Sequence, residues 1–397
     1  MSGGIFPPTV PVIKGGKVTG SLKKLGGGDL FICYQCGSCT AICPVSEELD
    51  TSFRKAIRYA QLELEDRLLS DPLPWLCYYC GECTKTCPRD AKPSRIMDSL
   101  RRYLISKYDW THVAGLVQSS KLYLTLANIV LFVLGLLFIY LIHGPMNQEK
   151  VDLSGFLPPS KVELMGISVG IVSLAIILGG LYRSYRFIMH DITNPARGPL
   201  SSLPTLAKYL LLQFPMNRCE NKRRWIDHLL IFYGFLLLGM MTLTLFIVLT
   251  VAPNPEVFAS LRNPSTPLGS AWLLLGAVAS AMILYSIISS IVNRLRGKDI
   301  YYITATTHTD IAFIIVVLLI TLTGIFVLAF RLLNQPILTY YSYAIHLALQ
   351  PLLFLIELPF SKFSHFIYRP FIAYFALMKG MRIPNVVLKR GMGGGLL

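Results

Sequence analysis

Six stretches of this 397-residue chain run for 19 or more residues without an Asp, Glu, Lys or Arg: 122–142, 164–182, 229–252, 268–292, 311–330 and 338–356. At about 1.5 Å of rise per residue, each can cross roughly 30 Å of hydrocarbon as a helix. Buried helices of soluble proteins rarely stay uncharged for so long, and six together predict a membrane bundle. Pro351 interrupts the last run, which lipid-buried helices tolerate when neighbours satisfy the freed carbonyls. Composition agrees. Hydrophobic residues make up 53% and charged residues 15%, against about 25% charged in soluble domains. That balance excludes an ordinary soluble protein, a disordered chain and a collagen. Nine cysteines are too few for a disulfide scaffold.

The formal net charge is +15. In a soluble protein such an excess suggests nucleic acid, so its distribution decides. Segments 183–227, 293–310 and 357–397 hold seventeen Lys and Arg, whereas the alternate segments 143–163, 253–267 and 331–337 hold four. Basic loops face the cytoplasm, so both termini are expected there and no nucleic-acid partner is needed. The start of the chain has no apolar signal-peptide core. Residues 1–30, rich in Gly, Pro and Lys without apolar periodicity, are expected to be a flexible arm. A polar domain over 31–115, a membrane domain over 116–380 and a cytoplasmic tail over 381–397 complete the expected organisation. Within 52–69, apolar Ile57, Ala60, Leu64 and Leu68 predict one amphipathic helix stopped by Asp71, Pro72 and Pro74.

Eight of the nine cysteines fall in two near-identical strings, Cys33-YQ-Cys36-GS-Cys39-TAI-Cys43-Pro44 and Cys77-YY-Cys80-GE-Cys83-TKT-Cys87-Pro88. Each reads C-x2-C-x2-C-x3-C-P, the bacterial ferredoxin run. Three thiolates on a tight turn grip three corners of a cubane while the fourth reaches the other cluster. Cys33, Cys36, Cys39 and Cys87 are therefore assigned to one [4Fe-4S] cluster, and Cys77, Cys80, Cys83 and Cys43 to the second. Gly37 and Gly81 relieve crowding near the inorganic sulfides. Zinc is the competing reading, although its sites usually use paired C-x2-C or mixed Cys and His ligands. Cys219 reads as an inert thiol.

The histidines of the apolar half sort by depth. His228 opens the third run and His365 follows the sixth, both at the cytoplasmic side, where two imidazoles can sandwich one iron. His346 lies about two turns into the sixth run from outside, and His143 ends the first run at the outer surface, so these two share the other leaflet. Nineteen steps separate His346 from His365, about 28 Å of ideal helix, which would stack two haems. On an ideal helix those steps end about 100° off the same face, a mismatch that Pro351 and Pro359 can correct by kinking. The competing reading of each is a helix–helix hydrogen bond. His308 and His190 are reserve ligands and His112 a surface residue. Glu357 either relays quinone protons or snorkels. Arg331, Tyr340, Tyr341 and Tyr343 read as interfacial anchors or quinone-site residues.

The strings SLKKLGGGDLFICYQCGSCTAICPV and RLLSDPLPWLCYYCGECTKTCPRDAKPS resemble the C subunit of heterodisulfide reductase, whose ferredoxin module is all-helical, as in succinate dehydrogenase iron–sulfur subunits. RWIDHLLIFYGF, TDIAFIIVVLLITLTGIFVLAFRLL and YAIHLALQPLLFLIELPFSKFSHFIYRP resemble the cytochrome b family that includes the gamma subunit of respiratory nitrate reductase and the E subunit of heterodisulfide reductase. Their order in one chain is similar to the membrane subunit of quinone-interacting (quinone-modifying) oxidoreductase, or Qmo, complexes of sulfate reducers. The resemblance covers about residues 20–380.

It implies a mostly α fold, with an all-helical dicluster ferredoxin domain followed by a six-helix transmembrane cytochrome b bundle. In the nitrate reductase gamma subunit, His pairs on the second and last helices of that family's domain bind two haems. His228 matches the first of the former pair, and His346 and His365 match the latter. The remaining member would fall near Leu238, where there is no His, so His143 becomes the candidate partner of His346. A protein with a single haem stays open.

The implied cofactors are two [4Fe-4S] clusters and one or two b-type haems, with menaquinone as substrate in a prokaryotic cytoplasmic membrane. Implied partners are cytoplasmic flavin- and cluster-bearing subunits of the QmoA and QmoB type, which serve adenylylsulfate reductase in sulfate respiration. The chain has no G-x-G-x-x-G fingerprint of its own, so it reads as a quinone-linked oxidoreductase subunit that conducts electrons and needs partners at both ends. Competing readings are the membrane subunit of another heterodisulfide-reductase-like complex and a metal-binding scaffold without electron transfer.

Overall fold

The computed structural model describes residues 16–49, 51–192, 195–213, 216–217 and 221–382. Cys219, residues 1–15 of the expected arm and the tail from 383 lie outside the described residues. Those described form helices and turns, with no strand among them. Six helices are long and apolar enough to cross a membrane: Lys121–Ile142, Pro159–Ile188, Lys222–Val251, Pro267–Arg296, His308–Leu332 and Pro336–Phe360. They coincide with the six uncharged runs and are called the first to sixth spans. Leu122, Leu134, Leu174 and Leu274 on three of them are each more than half exposed. Apolar surface that continuous needs a covering, which lipid provides.

The starts and stops of these helices are local. Prolines occupy the first turn of the second, fourth and sixth spans, where the missing N–H costs nothing. Thr307 and Asp310 form a reciprocal capping box on the fifth, and Gly297, at φ 57°, ends the fourth. The first and fifth spans pack on the sixth, and the third on the fourth, so the sixth is the inner helix. Pro351 removes a donor inside it, and a π-helical turn, Leu353–Glu357, follows at once. The helix then breaks at Ser361 (φ −111°, ψ −149°), and a separate helix, His365–Met378, begins. The phase of His365 is therefore set by this break and not by helical periodicity from His346.

The N-terminal part wraps the helix Pro93–Tyr108, on which Ile96, Leu100, Tyr103 and Leu104 are buried. Its core continues without interruption into the bundle: Trp75 and Tyr108 pack on Tyr368 of the last helix, with ring centroids 5.5 and 5.9 Å away. Two sequence expectations are corrected here. The stretch 52–69 is not one helix but two, Arg54–Gln61 and Glu65–Leu69. Glu63 takes a left-handed φ of 57° between them, and its carboxylate accepts from the N–H groups of Val18 and Thr19 at 2.8 and 2.9 Å. Those donors open the helix Lys17–Lys24, inside the stretch expected to be a flexible arm. Val18 and Leu22 are buried against the core, a two-residue signal too sparse to show as periodicity.

Candidate functional site

The two cysteine strings, 44 positions apart, fold into the same loop twice. Gln35 and Tyr79 have φ of 60° and 56°, and Gly37 and Gly81 have φ of 93° and 91° with ψ of −9° in both. Each glycine caps one helical turn, Ser38–Ala41 or Glu82–Lys85, and the Gly carbonyl of each accepts from the same two N–H groups at 2.8 and 3.1 Å. Only glycine enters this left-handed region freely, and the turn it permits gathers three thiols on one side. The helical turns of the two loops pack on each other.

The thiols sense one another across the loops. Burial raises Cys77 and Cys83 above the ordinary thiol range; Cys43 adds to both shifts and Cys39 to that of Cys83, so the two strings lie within electrostatic reach of each other. Cys39 is likewise raised by burial and then by Cys33. Backbone N–H groups of Tyr79 and Ala91 donate to the sulfurs of Cys77 and Cys87, each at 3.4 Å. Neutral thiols crowded this way gain from iron, which takes them as thiolates. Among the described residues, no three His, Cys, Asp or Glu side chains close around a point tightly enough for a single metal ion.

The surroundings of the two loops differ. The first is open: Tyr34 is 67% exposed and Cys36 is exposed. Its carbonyls at Cys33 and Gln35 accept from Gln61 and Arg54 of the same domain. The second is enclosed, with Tyr78 and Tyr79 buried. Its equivalent carbonyls are reached from the membrane half: Cys77 accepts from Arg369 at 3.2 Å as well as from Arg101, and Tyr79 accepts from Arg224 at 3.4 Å. Neither Arg224 nor Arg369 was singled out in the sequence. The signal lay in R-x-x-x-H ending at His228 and H-x-x-x-R starting at His365.

His228 and His365 come together beside that loop, with ring centroids 5.9 Å apart. Two imidazoles on one iron, each with an Fe–N bond of about 2.0 Å, hold their centroids roughly 6 Å apart. His228 Nδ1 meets Gln213 Oε1 at 2.5 Å and His365 Nδ1 meets the Lys362 carbonyl at 2.6 Å. An oxygen at each Nδ1 fixes the proton there and leaves Nε2 as the ligating nitrogen. Burial and then the neighbouring His228 depress His365 to about 3, so this imidazole is neutral, as a ligand must be. The residues fit a bis-His haem.

The outer pair does not fit. His346 Nδ1 meets Thr323 Oγ1 and the Ile320 carbonyl at 3.0 and 3.1 Å, and Nε2 meets Gln350 at 3.1 Å. Both nitrogens join helices or turns, the competing reading for a membrane His. His143 packs on Phe156, which packs on Tyr340, six residues or about 9 Å of helix before His346. No contact among the described residues joins His143 to His346. Of the reserve histidines, His308 meets the Val117 carbonyl and exposed His190 meets Asp191. Glu357 is fully buried and does not snorkel, and neither of its oxygens has a partner among the described residues. Tyr340 anchors the 150–152 loop, Tyr341 is exposed, and Arg331 donates to the Arg262 carbonyl.

Comparison with known proteins finds the 4Fe-4S dicluster domain family over residues 29–91. A protein of Archaeoglobus profundus that is like the C subunit of heterodisulfide reductase is 39% identical over 93 residues, 23% of this chain and 50% of the relative. The C subunit of the H(2):CoB-CoM heterodisulfide,ferredoxin reductase of Methanothermobacter thermautotrophicus is 41% identical over 55 residues, 14% of this chain and 30% of the relative. The C2 subunit of the H(2)/formate:CoB-CoM heterodisulfide,ferredoxin reductase of Methanococcus maripaludis is 37% identical over 95 residues, 24% and 47% of the two chains. The chain thus spans half or less of the length of the curated relatives it matches. No solved structure matches. An iron–sulfur dicluster domain is therefore joined in this chain to six membrane-capable helices.

Proposed function

We propose that this chain is the membrane electron-conducting subunit of an oxidoreductase complex, exchanging electrons between a quinone in the bilayer and cytoplasmic redox partners. Cys33, Cys36, Cys39 and Cys87 hold one cubane, and Cys77, Cys80, Cys83 and Cys43 hold the other. His228 and His365 hold one b-type haem. When bound, these groups supply one-electron carriers, which suits a two-electron quinol taken one electron at a time. The protein supplies their placement. Gln213 and the Lys362 carbonyl orient the imidazoles, the paired loops gather the thiols, and buried Tyr78 and Tyr79 shield the second loop from water.

One observation carries the reading. The imidazole pair includes His365, on the helix whose Arg369 touches the carbonyl of Cys77, so the two metal-binding arrangements share a wall. In finer detail we take the quinone as menaquinone, the membrane as a prokaryotic cytoplasmic membrane with the dicluster domain inside, and the partners as flavin- and cluster-bearing subunits of the QmoA and QmoB type serving adenylylsulfate reductase. The heterodisulfide reductase relatives support the cluster half of this assignment, and the Qmo-like order of parts supports the rest.

Dithionite reduction of the purified chain should give one sharp b-type α-band, with iron and acid-labile sulfide near eight each from the clusters. His228→Ala and His365→Ala should each abolish the bis-His spectrum while His346→Ala keeps it. A full α-band in His228→Ala/His365→Ala rejects the assignment. Partners captured with the chain and identified by mass would separate the Qmo reading from another heterodisulfide-reductase-like complex.

A further inference from the structure

Three cationic residues flank the His228–His365 pair along the chain: Arg224 four residues before His228, Arg369 four after His365, and Lys362, whose carbonyl meets His365. They are not alike. Lys362 is neutralised by Asp310 at 2.8 Å, with Asp98 at 3.9 Å. Among the described residues, neither guanidinium has a carboxylate within ion-pair distance. Arg224, 7% exposed, lies 3.5 Å from the Tyr301 ring centroid and reaches the Tyr79 carbonyl through long 3.4 Å contacts. Arg369 lies 3.6 Å from the Tyr78 ring centroid, bonds the Cys77 carbonyl and meets the Tyr209 side chain, with its Nε buried. Aromatic faces and carbonyls offset a buried positive charge only in part. Two such charges side by side call for two anions.

The backbone puts them on one side of the imidazoles. Arg224 precedes His228 by four residues and Arg369 follows His365 by four, about 6 Å along each helix. Both guanidinium groups bond carbonyls of the same cysteine loop, so they converge on that loop from the helices that carry the two imidazoles. We propose that Arg224 and Arg369 are the paired binding site for the two propionate carboxylates of the haem, and so tie its edge to the second cysteine loop. The inference rests on the cytochrome reading above and adds the orientation of the ring. The planar forks suit carboxylates, and each charge-assisted pair gained in a dry site is strong.

The test uses the full chain, purified haem-free in detergent and titrated with iron protoporphyrin IX or with its dimethyl ester, which keeps iron and ring but masks both carboxylates. The wild type should take up the free acid more tightly by about tenfold or more, since each charge-assisted pair alone is of that order. Arg224→Gln/Arg369→Gln should bind both forms about equally, with an unchanged helical circular dichroism spectrum as the record of folding. If that variant does not fold, Arg224→Lys/Arg369→Lys carries the test: both charges remain, and the preference for the free acid should persist. A preference that survives the Gln pair, or is absent from the wild type or the Lys pair, overturns the proposal while leaving the cytochrome intact. Failure of the wild type to bind either form as a six-coordinate species overturns the cytochrome reading, and this inference falls with it.

Discussion

The twin loops allow a matched perturbation, Gly37→Ala against Gly81→Ala. The two glycines share φ, ψ and hydrogen bonds, so an added methyl meets the same backbone penalty, about 1–2 kcal/mol for an L-residue in the left-handed region. What differs is the far side. A Cβ on Gly37 has nothing within 4 Å, whereas one on Gly81 lies 2.5 Å from Ile300 Cγ2. Relief needs a shift of roughly 1 Å. Ile300 opens a helix capped by the Asp299 side chain, and the adjoining Tyr301 is held by Tyr79 and Arg224. Overpacking against so fixed a neighbour costs about 1–3 kcal/mol more. Thermal bleaching of the iron–sulfur absorbance, followed in detergent, reads the difference. Gly81→Ala should bleach several degrees below Gly37→Ala. On an Ile300→Ala background, Gly81→Ala should cost no more than Gly37→Ala does. Equal losses for the two alanines, or no relief from Ile300→Ala, would refute the docking of the second loop on this helix.

Other outcomes follow from single contacts. Cys43→Ser should alter the EPR signal of the cluster held by Cys77, Cys80 and Cys83, and Cys87→Ser that of the first cluster; the opposite pairing would show that the ligands do not cross. Lys362→Met leaves buried Asp310 with Arg294 at 3.8 Å and the Thr307 donors but without its 2.8 Å partner, and should cost less than the roughly 3–5 kcal/mol of a fully unpaired buried charge, read as a lowered midpoint of thermal unfolding. The Glu63 carboxylate is held below its ordinary range: burial opposes this, but donors from Thr19 and Val18 prevail. A depressed folded pKa gives stability that is present above the unfolded value and lost as pH falls through the folded one. Protection factors of the Lys17–Lys24 amides, exchange corrected for its intrinsic pH dependence, should therefore fall on acidification, and Glu63→Gln should remove most of that dependence.

The six spans were legible because lipid imposes one rule, an uncharged run about twenty residues long, and the runs obey it. The cysteine loops were legible because every position carries a backbone or ligand requirement. The imidazole pair was reached from depth and from the family resemblance, and the break at Ser361 frees the phase of His365 from that of His346. What escaped notice depends on long-range partners. Arg224 and Arg369 read as ordinary basic-loop residues until the cysteine loop stands against them. Val18 and Leu22 carry no period in a glycine-rich stretch. His346 looked like a ligand by position, but its role depends on Thr323 of the fifth span and Gln350 of its own, which spacing does not reveal. The outer pair thus rested on depth and on the resemblance, without a contact among the described residues to join its members.

Duplicated motifs usually suggest duplicated tasks, yet here one copy looks out on water and the other is insulated by the bundle. Equal ligands in unequal dielectrics hold their electrons with unequal grip. On the proposed reading the domain would therefore have two unlike ends, although its two cysteine strings are nearly identical. A partner docking on the dicluster domain would then meet Cys36 as its most exposed thiol, and charge reaching it from the bundle would cross both copies.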